Sequence, residues 1–174
     1  MTLRKIFSLL ASLTLMAAGP AFAADANLNF TGLIMQPSCS IDSASANQVV
    51  NLGSAPIMNF ASVGSTTNAT PFNVKLVSCA PGTVITMTVA GTMDTVASVL
   101  QNTGTATQVG VQLLKASSVG ATTGTPVTLN SAVAMGTVDS TYSMTIPFVA
   151  QFYELGTLTP GSVVATATVN FTYN

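Results

Sequence analysis

The chain has 174 residues, room for one domain of ordinary size, and its make-up excludes several functions at the outset. There is no histidine, which removes histidine-based catalytic triads and imidazole metal sites. Four basic residues against five acidic ones cannot form the patch that a phosphate backbone or an anionic membrane requires.

In chain order, residues 1–23 read as a secretion signal. Arg4 and Lys5 give a basic start, Ile6 to Ala18 is apolar, Gly19-Pro20 breaks the run, and Ala21-Phe22-Ala23 offers small residues at the positions a signal peptidase reads. The apolar run is about 13 residues, too short for a helix crossing roughly 30 Å of hydrocarbon. Beyond it the cations are Lys75 and Lys115, against Asp25, Asp42, Asp94, Asp139 and Glu154, a net charge of −3. The surface is therefore carried by Ser, Thr, Asn, Gln and backbone.

The next stretch alternates. Ala26, Leu28, Phe30, Gly32 and Ile34 fall on one face of an extended chain, with Asp25, Asn27, Asn29 and Thr31 on the other. It reads either as the first strand of its own domain or as a strand that fills a groove on another molecule. Cys39 and Cys79 follow. Export to an oxidising compartment makes a disulfide their natural reading, two buried free thiols being the alternative. No close-spaced cysteine pair suggests a metal.

Past Cys39 come short β-type runs divided by Gly, Pro, Ser, Asn and Asp. They are Gln48 to Leu52; Phe72, Val74 and Leu76 alternating with Asn73 and Lys75; and Val84 to Ala90. Val109, Val111 and Leu113 alternate with Gly110 and Gln112. Tyr142 to Tyr153 has Pro147 expected at an edge or bulge, and Ser162 to Asn174 closes the series. Gly53 to Thr70 is the least regular part, with room for a helical turn or an edge strand. No 3.6-residue apolar period appears after the signal, so the fold class is all-β, an antiparallel sandwich or barrel. In the last run Val163, Ala165, Ala167, Val169, Phe171 and Tyr173 share one face up to the penultimate residue. An immunoglobulin-type sandwich would return one more strand to cover this edge, and an uncovered apolar edge is an aggregation hazard. The carboxylates stand singly and no Gly-rich phosphate loop precedes a helix, which argues against an enzyme.

Together the two ends resemble a chaperone–usher pilin of the type 1 fimbrial subunit family. The resemblance is carried by Phe30-Thr31-Gly32 ahead of Cys39, the Phe-Asn-Val-x-Leu-x-x-Cys run from Phe72 to Cys79, and Gly110-Val111-Gln112-Leu113-Leu114. Ile146 to Tyr153 adds to it, with Gly161 fourteen residues from the end and Tyr173 penultimate. Gln151, where arginine is common, and Val164, where asparagine is frequent, depart from the pattern and read as surface or edge variations. The resemblance implies an immunoglobulin-like antiparallel β-sandwich lacking its last strand and completed by donor-strand exchange. It implies a signal at 1–23, a donor extension at 24–36 and a pilin domain at 37–174. The donor plugs would be Ala26, Leu28, Phe30, Gly32 and Ile34. Gly161, Val163, Ala165, Ala167, Val169, Phe171 and Tyr173 would form the acceptor groove and chaperone-recognition edge. The implied function is a structural subunit of an adhesive fimbria, exported through the periplasm to the cell surface, with no cofactor. Its implied partners are other pilins, a periplasmic chaperone and an outer-membrane usher. The alternative is a minor tip or adaptor subunit that itself binds a host-surface receptor.

Overall fold

The computed structural model describes residues 27–34 and 38–174. The expected signal, residues 24–26 and residues 35–37 lie outside the described residues. The chain divides into two units, Met1–Ile34 and Met35–Asn174, and each is taken by itself.

The larger unit is a sandwich of two antiparallel sheets. Its strands are β1 (Ser40–Ile41), β2 (Thr66–Val77), β3 (Val84–Ala90), β4 (Val99–Leu100), β5 (Thr107–Ala116), β6 (Gly124–Pro126), β7 (Ala132–Thr137), β8 (Ser143–Thr159) and β9 (Thr168–Tyr173). One sheet runs β1-β2-β8-β5-β4, with β6 also paired to β5; the other runs β7-β3-β9. The only helices among the described residues are the short α1 (Ser43–Ala46), capped by the Asp42 carboxylate, and a 3-10 turn at Ile57–Asn59. That turn, and the start of β2 at Thr66, resolve the irregular stretch from Gly53 to Thr70.

Alternation explains which faces meet. On β2, Val74 and Leu76 point into the sandwich while Lys75 stays out. On β3, Ile85, Met87 and Val89 do the same with Thr between them. These residues join Leu100, Leu113, Ile146, Phe148 and Ala150 in one core between the sheets. Phe72 stacks on Phe148, directly opposite it across β2 and β8, with ring centroids 5.4 Å apart. The disulfide joins Cys39 to Cys79, tying the start of β1 to the chain just past the end of β2.

Pro147 sits as expected. Its strand β8 lies between β2 and β5, but the β5 ladder stops at Lys115 opposite Phe148. At Pro147 the strand therefore has β2 alone as neighbour, through Asn73, and a missing N–H breaks no ladder on the other side.

Three expectations are corrected. Gln151, read as a surface or edge variation, and Gln112, which alternates with the apolar face of its run, are both buried, at 8% and 7% exposure. The outer face of β5 and β8 is itself covered: Leu114, Ala116 and Val149 form a second small cluster with Ala69 and Ala121. There Gln151 Nε2 donates to Gln112 Oε1 at 2.8 Å, and Gln112 Nε2 donates to Ser98 Oγ at 2.9 Å. Polar residues survive on this face because they satisfy one another. Gln48 to Leu52 is no ladder strand. The edge of β2 that it follows is met by side chains instead, with Gln48 Nε2 donating to Asn73 O and Asn68 Nδ2 to Leu52 O, each at 2.7 Å. The final run enters a ladder only from Thr168, since its first half lies beside a loop rather than beside β3.

Candidate functional site

The site is the free edge of β9. Its register against β3 pairs Val89 with Val169, Met87 with Phe171 and Ile85 with Tyr173. Val84 and Asn174 exchange both main-chain bonds, at 2.8 and 3.1 Å. In an antiparallel ladder such pairs recur at every second residue, so Thr172, Asn170 and Thr168 direct their N–H and C=O groups to β3. Val169, Phe171 and Tyr173 direct theirs the other way, where no strand lies among the described residues.

Side-chain burial gives the same asymmetry. Ile85, Met87 and Val89 are at most 1% exposed. Their β9 partners, on the same face of the same sheet, are only half-buried, although they too pack on the core. The chemistry is alike; the difference is that β3 has a strand on both flanks and β9 on one. An apolar face that stays half-wet beside a row of unpaired backbone groups is a template for an added strand. Desolvation at this half-covered edge pushes the Tyr173 phenol above its ordinary value.

Of the expected groove residues, Val163 and Ala165 are half-buried, and Ala165 packs on the core. Ala167 is exposed, and Val164 points outward at 51% exposure. Gly161 lies against the loop after β4, where a Cβ would strike Ala106 N and come within 2.7 Å of Ala106 Cα. That backbone approach leaves no room for any side chain. Sequence reasoning missed Val50 and Leu52. Both are half-buried on the same core, while Asn51 between them is exposed and Val49 before them is 98% exposed, so they form a second apolar row without a ladder of its own. Their strand-like alternation was visible, but that their pairing edge stays open was not. In the smaller unit Leu28, Phe30 and Ile34 are exposed at 76%, 90% and 101%.

An antiparallel, disulfide-tied sandwich with an open edge on its last strand defines an immunoglobulin-like domain of the pilin class. Among solved structures, the P pilus rod subunit PapA matches with a TM-score of 0.63 and 20% identity, over 78% of this chain and 99% of that one. A chaperone–usher pilus subunit matches with a TM-score of 0.65 and 18% identity, over 90% of this chain and all of that one. In sequence, the type-1 fimbrial protein A chain of Escherichia coli is 31% identical over 155 residues, 84% of this chain and 82% of its own. The minor fimbrial subunit HifD of Haemophilus influenzae is 31% identical over 180 residues, 95% of this chain and 82% of its own. The family model described as fimbrial protein matches residues 28–174. The chain belongs to the fimbrial protein family: it is a structural subunit of a pilus, and not an enzyme.

Proposed function

We propose that the subunit polymerises without covalent links by donor-strand exchange. Residues 24–36 of one copy enter the edge of β9 on the subunit ahead, and residues 37–174 form the accepting domain. Leu28, Phe30 and Ile34, with Ala26 before them, are the plugs, and Gly32 marks a shallow point in the groove. The receiving wall is Val163, Ala165, Ala167, Val169, Phe171 and Tyr173, with Val50 and Leu52 on the far side. The observation that carries this is the half-burial of Val169, Phe171 and Tyr173 beside fully buried partners on β3. Main-chain bonds to the free edge would give strength, and alternate side chains would set register.

On this reading the chain passes through the periplasm behind a cleaved signal at 1–23. A chaperone covers the edge there, with Gly161 to Tyr173 as its recognition segment, and an outer-membrane usher assembles the fibre. The fibre supports adhesion of the cell. A chain carrying Phe30→Asp keeps its groove but cannot donate, which makes it a clean acceptor. Adding a synthetic peptide of residues 24–36 at a hundredfold excess over its dissociation constant should stabilise it by about 2.7 kcal/mol, several degrees in melting temperature. The same peptide with Phe30→Asp should do nothing. Equal melting curves with and without the native peptide would refute strand addition.

A further inference from the structure

We propose that the loop from Gln101 to Thr107 is a splint that carries the strand-accepting edge beyond β9, and that Asn102 positions it. This rests on the strand-addition reading above and adds to it which residue sets the usable length of the groove.

The ladder between β3 and β9 begins only at Thr168. Upstream, Ser162 and Val164 are held instead by the loop after β4. Asn102 Oδ1 accepts the N–H of Val164 and that of Gly104, both at 2.8 Å. Its Nδ2 donates to Ala106 O at 2.8 Å and to Ser162 O at 3.4 Å, so the amide closes its own loop while it grips the incoming chain. Thr103 N and Oγ1 both donate to Val164 O, at 2.8 and 3.1 Å. Thr105 Oγ1 accepts the N–H of Ser162 at 2.9 Å. Gly104 permits the approach, because a Cβ there would sit within 2.6 Å of the Ser162 carbonyl carbon.

The parity of these bonds is the point. Ser162 and Val164 are even positions, like the residues that β9 turns toward β3. The splint thus holds the same side of the chain that β3 holds further on. Val163 and Ala165 keep the phase of Val169, Phe171 and Tyr173, half-buried and with main-chain groups that no bond claims among the described residues.

Length makes the extension necessary. From Leu28 to Ile34 an extended strand spans about 20 Å, whereas the residues that β9 turns away from β3, Val169 to Tyr173, span about 14 Å. The occupant we assign is residues 27–34 of a second copy, whose exposed Leu28, Phe30 and Ile34 match an edge that is apolar and nearly free of charge. The same-face positions Leu28, Phe30, Gly32 and Ile34 number four against the three that the β3-backed edge offers at Val169, Phe171 and Tyr173, and the splinted segment supplies the remainder.

The test uses the full chain carrying Phe30→Asp, with and without Asn102→Ala, and the 24–36 peptide as probe. Amide hydrogen exchange is read at Val163, Ala165, Val169, Phe171 and Tyr173. In the parent, peptide should protect the whole series. In Asn102→Ala, protection should persist at Val169, Phe171 and Tyr173 but vanish at Val163 and Ala165, with peptide release faster by roughly tenfold. Unchanged protection at Val163 and Ala165 in the variant overturns the splint alone. Absence of protection anywhere in the parent overturns the strand-addition reading itself. Should Asn102→Ala fail to fold, Ser162→Ala removes only the hydroxyl contacts with Thr105 and should give a smaller loss at the same two amides; no loss there would also overturn the splint.

Discussion

Gln151→Leu isolates the buried amide pair that the sequence pattern placed on the surface. Gln151 and Gln112 lie directly opposite each other on β8 and β5, and each is over nine-tenths buried. The substitution nearly preserves volume, so packing changes little. What changes is Gln112 Oε1, which loses the 2.8 Å bond from Gln151 Nε2 and stays buried without a partner. An orphaned buried acceptor costs about 1–3 kcal/mol, more than the net value of the bond itself. Replacing both residues with Leu removes the orphan and leaves only the Ser98 hydroxyl to find another acceptor or donor. The double variant should therefore be more stable than the Gln151→Leu single variant, a non-additivity of about 1 kcal/mol or more. Urea unfolding followed by far-ultraviolet circular dichroism measures all four corners of the cycle, at equal slopes. A neutral Gln151→Leu, or strictly additive effects, would show that the two buried amides do not depend on each other for their hydrogen bonds.

Three further outcomes follow from the disulfide and the open edge. Replacing Cys39 and Cys79 by Ser opens a loop of sequence separation 40, and the loop-entropy relation puts the loss at about 4 kcal/mol; an unchanged urea midpoint would count against it. Burial raises the Tyr173 phenol, so the folded chain keeps a proton that the unfolded chain releases. This contribution is fully present below a pH of about 10 and is lost as pH rises through the higher folded value. Tyr173→Phe should flatten the alkaline loss of stability. The 24–36 peptide, by covering the ring, should shift the Tyr173 phenolate absorbance, read by difference against Tyr173→Phe, to still higher pH; no shift on adding peptide would mean the ring is not at the groove.

Composition and period-two alternation determined the fold class and most of the strands. Val84 to Ala90 is legible because Val, Ile and Met alternate with Thr, and Phe72 to Leu76 because its polar positions separate apolar ones. The alternating face from Val163 to Tyr173 was equally open to reading, as was that of Leu28, Phe30 and Ile34, since amphipathic extended chain needs nothing beyond its own side chains. Alternation says which residues share a face and is silent on what covers the other one. Hence Gln112 and Gln151 looked external, although both lie buried on the face that carries the second cluster. Pairing is likewise non-local. Gln48 to Leu52 carries a strand's pattern without a ladder because its neighbour is engaged through side chains, and the residues before Thr168 are held by Asn102, about sixty positions away. Only the tertiary arrangement decides which backbone edge finds a partner, because hydrogen bonds between strands depend on what the folded chain brings alongside.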